Sequence, residues 1–235
     1  MERYSHITNK VKREIVLLKA RPCIWSKCTF CDYIEDNSTC TKEMIKINQD
    51  VLSHVTGEYL ITGEYGILEV IDSASIFELP KESLLKIKEV IKKKHIHTLF
   101  IESHWIYHKH IQEIRDFFGI KTIVKIGVET FDDHFRNDYL NKNATFQSIE
   151  ELKKYFDSPC LMVGIKGQTK DMITKDMEIL TKCFEYGTIS VYRNNSTSVK
   201  RDDELVHWFM QEYDYLIDDE RYDFLYDPTD FGVGE

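Results

Sequence analysis

What the sequence lacks narrows its range first. No stretch approaches the ~18 consecutive apolar residues that cross a bilayer, and the opening Met1-Glu2-Arg3-Tyr4-Ser5-His6 has no apolar signal core. A cytoplasmic protein without a membrane anchor is expected. Nor is there an excess of basic charge: 31 Lys and Arg face 40 Asp and Glu, for a net charge of −9, so nothing draws the chain to a long polyanion. A small-molecule partner suits that balance better than direct binding of long nucleic acid. Repeats, linkers and low-complexity segments are also missing. With 235 residues, 42% of them apolar, the chain reads as one domain, 1–235, with room for a sizeable core.

What is present is an alternation. Short β-rich runs at 15–18, 67–71, 98–101, 122–126, 161–165 and 189–192 are mostly continuous and apolar, as in strands covered on both faces. Between and after them lie helical stripes: Met44/Ile47/Val51/Val55, Leu84/Ile87/Ile91, Ile111/Ile114/Phe118, Ile149/Leu152/Phe156, Ile173/Met177/Leu180/Phe184 and Leu205/Phe209/Tyr213/Leu216. Pro80 marks one helix start, and Ser148 with Glu151 has the spacing of a capping box. Such alternation predicts an α/β fold, a partial (β/α)6 barrel with parallel strands. The basic run 88–94 reads as a solvated helix face. The last helix and tail, about 203–235, are expected to pack on the barrel, with Tyr222, Phe224, Tyr226 and Phe231 holding the tail over its mouth.

Six cysteines occur, three of them within nine residues, in Arg21-Pro22-Cys23-Ile24-Trp25-Ser26-Lys27-Cys28-Thr29-Phe30-Cys31-Asp32. In a reducing compartment this Cys-x4-Cys-x2-Cys array points to metal ligation rather than disulfides. Three thiolates satisfy three irons of a [4Fe–4S] cluster and leave the fourth open to a ligand. A structural zinc site completed by Cys40 is the competing use. Cys40, Cys160 and Cys183 otherwise read as buried thiols. In a parallel barrel the site gathers at the carboxyl ends of the strands, so the polar residues that follow each run are candidates. These are Asp72-Ser73, Glu102-Ser103-His104, Gly127-Val128-Glu129, Gly164-Ile165-Lys166-Gly167-Gln168 and Arg193-Asn194-Asn195. His95, His97, His104, His108 and His110 find no carboxylate or cysteine that completes a familiar metal set and read as solvated or capping.

The cysteine array resembles the cluster loop of the radical S-adenosylmethionine superfamily, with one residue more than the usual Cys-x3-Cys-x2-Cys. Gly127-Val128-Glu129-Thr130-Phe131-Asp132-Asp133, continuing to Asn141-Lys142-Asn143, is similar to a stretch of the same superfamily, and the likeness spans about 15–195. The resemblance implies a [4Fe–4S] cluster on Cys23, Cys28 and Cys31, with S-adenosylmethionine on the open iron. It also implies an electron donor of the reductase, flavodoxin or ferredoxin kind, and hydrogen abstraction by a 5′-deoxyadenosyl radical. For the cofactor it implies Phe30 near the adenine, Asp72 or Ser73 on the methionine amino group, and Glu102 and Ser103 at the ribose. Glu129, Arg136 on the methionine carboxylate, and the Lys166 segment at the base complete that set. Within the superfamily, the short chain, the spacing and the run Cys-Asp-Tyr-Ile-Glu-Asp at 31–36 resemble the queuine lyases of queuosine salvage, which cut free queuine to an aminomethyl-deazaguanine. That likeness implies a deazaguanine base met by Asp32, Glu64, Arg193, Asn194 and Asn195, with Asp32 and Asp72 as catalytic candidates. Two other readings stay open: a radical enzyme for another small molecule or a peptide, and a non-catalytic zinc or iron–sulfur module.

Overall fold

All six runs form strands, and one further strand flanks them on each side. The computed structural model describes residues 2–32, 36–53, 61–227 and 229–234; Val55 of the first helical stripe and Tyr33, Ile34 and Glu35 of the run at 31–36 lie outside the described residues. The strands are β1 (Tyr4–Ile7), β2 (Arg13–Leu18), β3 (Ile67–Asp72), β4 (Thr98–Glu102), β5 (Lys121–Glu129), β6 (Ser158–Val163), β7 (Gly187–Val191) and β8 (Tyr222–Leu225). They lie in sequence order in one sheet, β1 antiparallel to β2 and every later pair parallel. The sheet curls into a half-barrel.

The helices are α1 (Thr41–Ser53), α2 (Lys81–Lys93), α3 (Ile111–Phe118), α4 (Ile149–Lys153), α5 (Lys170–Cys183) and α6 (Asp203–Glu212). Side chains alternate across a strand, and one set, Val16, Leu18, Leu68, Val70, Leu99, Ile101, Val124, Ile126, Leu161, Val163 and Ile189, packs with Ile87, Ile91, Ile114, Leu180 and Leu205 of the helices in one core. Burying each such side chain contributes roughly 1.5–3 kcal/mol. Ser148 caps α4 as its spacing predicts, the Glu151 amide donating to Ser148 Oγ at 3.2 Å, while the Glu151 carboxylate accepts from the Gln147 amide, one residue before the cap, at 2.6 Å. Among the described residues no helix is long and apolar enough to cross a membrane.

The other set faces the concave side and is not uniformly apolar. Arg13 Nε lies 2.5 Å from Glu69 Oε2 and Lys125 Nζ 2.6 Å from Glu69 Oε1, all three side chains being essentially inaccessible. Arg13 also reaches Asp223 of β8 at 2.8 Å. Burial alone would raise the Glu69 carboxyl, but Arg13 and Lys125 override it and hold it at about 2. Glu69 and Lys125 are the charged residues that interrupt the otherwise apolar runs 67–71 and 122–126. Tyr222 is buried in the outer core and Phe224 packs against it, while Phe231 and Val233 pack on Ile15 and Leu17 of the concave face. The Phe231 ring lies 4.9 Å from Lys125 Nζ and 5.6 Å from the Arg13 guanidinium, so it lines the hollow beside the ion network.

Candidate active site

Residues 19–32 follow β2, and their loop is fastened from three sides. The Ile24 amide donates to Glu78 Oε1 at 2.7 Å. Beyond β5, Thr29 donates its amide to Leu140 O and its hydroxyl to Tyr139 O, each at 3.0 Å. Asn141 closes the same side: the Trp25 indole donates to its carbonyl at 2.7 Å, and its side-chain amide donates to Lys27 O at 2.8 Å. Beyond β7, Asn195 Nδ2 donates to Phe30 O at 2.7 Å, and the Ser196 amide and hydroxyl donate to Asp32. The residue added to the usual spacing is absorbed in a turn in which Ser26 adopts φ of 46° and its hydroxyl bonds Cys23 O.

Cys23, Cys28 and Cys31 are half-buried thiols in this frame, not joined in disulfides. Phe30 packs with Phe135, Leu140, Ile165, Tyr192 and Val199, and Cys28 and Cys31 abut that cluster. Burial pushes the Cys28 thiol up to about 12 against the pull of Lys142; a metal that competes for the thiolate reverses that preference. The donor set fits an iron–sulfur cluster, in which each thiolate takes a different iron. Among the described residues no three His, Cys, Asp or Glu side chains converge as a single ion requires. Cys40, proposed as a fourth zinc ligand or a buried thiol, is exposed.

Next to the thiols stands an ion pair made possible by a bulge. The register of β5 against β6 slips between Gly127 and Glu129, and Glu129 takes φ of 67°. Lys142 Nζ then meets Glu129 Oε1 at 2.6 Å and lies 5.5 Å from the Phe30 ring. A Cβ at position 127 would fall 2.5 Å from that Glu129 oxygen and 2.6 Å from Lys142 Nζ. A side chain there would have to displace the charged pair, which occupies the space over the strand. Lys142 O in turn bonds His104 Nε2 at 2.8 Å, while the Ile106 amide donates to His104 Nδ1 at 3.2 Å. The two contacts fix the neutral tautomer with its proton on Nε2, and burial lowers this imidazole to about 4. His104 is thus a cap, one of the two roles expected of it for want of a metal-binding partner set.

The carboxylates of β3 and β4 stand close by. Asp72 is buried; its Oδ1 accepts from the Ala74 amide at 2.7 Å, while Oδ2 has no partner. Burial, reinforced by Glu102 and Glu78, raises its pKa well above the usual carboxylate range. Glu102 is pushed up to about 7 by burial, partly opposed by Lys125 at 3.9 Å. Ser73 donates to Asp36 O at 3.2 Å, and Ser103 shares a buried hydroxyl contact with Ser75 at 3.1 Å.

Three candidates stand elsewhere than expected. Glu64 is exposed in the turn before β3, at the amino end of that strand and so at the rim opposite the cysteines. Arg136 is buried with its donors spent on Ala144 O at 2.8 Å, Thr130 O at 3.0 Å and Asp133 at 2.6 Å. It shapes the turn that carries Asn141 and Lys142 and has no free fork for a cofactor carboxylate. Lys166 is exposed, and its amide donates to Lys200 O at 2.8 Å. At the end of β7, Arg193 pairs with Asp227, and Asn194 Oδ1 accepts from the Arg201 amide at 2.9 Å. Glu78, Asn141 and Lys142 were not singled out as site residues. Lys142 was legible as part of the Asn-Lys-Asn likeness, whereas Glu78 and Asn141 carry no spacing signal.

No family model matches the chain, and no curated protein does. Among solved structures, the queuine lyase from Clostridium spiroforme, bound to S-adenosylmethionine and queuine, is 59% identical over 100% of both chains with a TM-score of 0.95. A radical S-adenosylmethionine methyltransferase from Kitasatospora setae, with tryptophan and an aza analogue of the cofactor, gives a TM-score of 0.46 at 8% identity over 74% of this chain and 35% of its own. The same methyltransferase with cobalamin and a [4Fe–4S] cluster gives 0.44 at 9% identity, over 74% and 34%. Three thiols on a clamped loop at the carboxyl end of a half-barrel, together with full-length identity at that level, place the chain in the queuine lyase family of radical S-adenosylmethionine enzymes.

Proposed function

We propose that this chain is a queuine lyase: it binds a [4Fe–4S] cluster through Cys23, Cys28 and Cys31, binds S-adenosylmethionine beside it, and cleaves queuine to an aminomethyl-deazaguanine. The observation that carries the reading is the full-length relation to an enzyme solved with that cofactor and that base. When bound, the cluster supplies the electron that splits S-adenosylmethionine and starts radical chemistry. The chain's own residues bind, orient and exclude water. Phe30 and its apolar neighbours form a dry wall behind Cys28 and Cys31. Asp72, with one oxygen unpartnered, is the group we assign to the cofactor's amino end, and Glu102 the group for its ribose. Asp32 and Asn195, which tie the loop after β7 to the cysteine loop, form the side from which we expect the base to be held. A reducing cytoplasm and an external one-electron donor complete the proposal.

The test is anaerobic reconstitution followed by turnover with dithionite. About four irons and four sulfides per chain, with queuine consumed and deoxyadenosine formed, are expected, and guanine should not react. Single Ala substitutions at Cys23, Cys28 or Cys31 should remove the cluster while Cys40→Ala retains it. Queuine left intact while deoxyadenosine accumulates equally with or without it would refute the substrate. Stoichiometric zinc without sulfide would refute the cluster.

A further inference from the structure

Large exposed apolar side chains are not scattered evenly. The described residues include six, and three of them, Ile24, Tyr139 and Ile106, are 59%, 44% and 41% exposed. These three sit on the segments that close around the cysteines. Ile24 belongs to the cysteine loop itself. Ile106 precedes Tyr107, whose hydroxyl donates to Glu78 at 3.3 Å, and Glu78 is the carboxylate that accepts the Ile24 amide. Tyr139 supplies the carbonyl that accepts from Thr29. Trp25 adds a half-buried ring, held by Asn141 and lying 5.0 Å from Lys27 Nζ.

Charge on these segments runs against that of the whole. Residues 21–31 hold Arg21 and Lys27 and no acid, and residues 103–112 hold Lys109 and no acid, in a chain of net charge −9. Arg21, Lys27 and Lys109 are exposed. Residues 134–143 hold one acid, the exposed Asp138, which accepts a hydrogen bond from His134 Nδ1 at 2.5 Å, and two cations, Arg136 and Lys142. An apolar centre with a charged margin is the composition of an interface, and local charge of one sign selects a partner of the other sign and speeds its encounter.

We infer that the rim formed by Ile24, Lys27, Ile106 and Tyr139, with Arg21 and Lys109, is the docking face for an acidic one-electron carrier protein of the flavodoxin or ferredoxin class. The inference rests on the cluster proposed above, since an electron delivered at this rim enters beside the three thiols. A contact of this kind needs only a small, transient interface. Rigid fastening of the loop by Glu78 and Asn141 keeps the face in one shape as partners come and go.

The test measures binding and electron delivery separately. Reconstituted protein is titrated by calorimetry with an acidic flavodoxin and, in a second arm, with a plant-type ferredoxin, at low and high salt. At least one should bind, and binding should weaken as salt rises. The pair Lys27→Glu and Ile106→Asp should weaken binding at least tenfold and slow carrier-driven deoxyadenosine formation as much, with the dithionite-driven rate within twofold of wild type. Leu85→Asp, away from this rim, should change neither. If the double variant also loses the dithionite rate, the milder Lys27→Ala with Ile106→Ser is judged by binding alone. Carrier binding that is unchanged by these substitutions, or wild-type protein that binds neither carrier, overturns the docking face. Wild-type protein inert with dithionite is a different failure, that of the proposed function.

Discussion

On the floor of the half-barrel, charges are buried and paired with one another in one network; at its mouth, the cysteine loop is fastened by separate hydrogen bonds from several loops, some of them to carboxylates. Arg13, Glu69 and Lys125 are sealed under Phe231, whereas the cysteine loop leans on Glu78, Asn141 and Asn195 through contacts that are at most partly buried. A buried charge that loses its partner costs several kcal/mol, while one neutral hydrogen bond contributes about 1 kcal/mol net. The floor therefore concentrates stability in one indivisible network. The mouth divides its rigidity among replaceable parts, so that a cluster, a cofactor and a substrate can enter without loosening the fold.

Substitutions that separate the two regions test this contrast. Glu69→Ala leaves Lys125 with no carboxylate nearer than 3.9 Å and Arg13 with Asp223 alone, and should cost about 3–5 kcal/mol in urea unfolding; a loss under about 1 kcal/mol would mean the floor is wet and the contrast false. Phe231→Ala, which opens that floor, should cost about 3 kcal/mol, at the low end for a buried phenylalanine, with the m-value unchanged.

Titration sharpens the comparison further. Glu69 is held at about 2, below its unfolded value near 4.3, so its stabilisation is present above about pH 4.3 and is lost as pH falls toward 2. Glu102 is raised to about 7, so folding holds its proton more tightly than unfolding does, and stability falls as pH rises from about 4.3 to 7. Melting temperatures from pH 4.5 to 8 should show that decline in the wild type and a shallower one in Glu102→Gln. Equal slopes would remove Glu102 from the balance. The smallest effect on the fold is expected at Asn141→Ala, about 1 kcal/mol. Its iron content after reconstitution should nonetheless drop, which a floor variant of equal stability would not show.

Much of this was legible before any coordinates. The parallel order followed from the alternation of runs, and Ser148 capped α4 as its spacing required. Cys23, Cys28 and Cys31 stood out because three thiols in one short loop have few structural uses. Strands β1 and β8 were not legible: each has only four residues, too few for a period to show, and β8 lies in a stretch rich in acids. Glu69 and Lys125 were hidden because a charge within an apolar run gives no sign of whether a partner waits inside. Arg136 shows the reverse limit. Its place in the sequence suited a ligand, but only the path of the chain revealed that carbonyls of its own turn take up its donors.

The bond between Arg13 and Asp223 spans 210 positions of sequence. Pairings so distant make a slow, high-contact-order fold. On a ribosome adding ~5–20 residues per second, Arg13 waits roughly 10–40 s for the residue that completes its coordination. Through that interval Glu69 alone can neutralise it, and the apolar bed of Ile15 and Leu17 lies open. A nascent chain has thus made its three thiols long before it owns either the clamps of their loop or a finished floor, and chaperone demand and proteolytic risk should concentrate in that window.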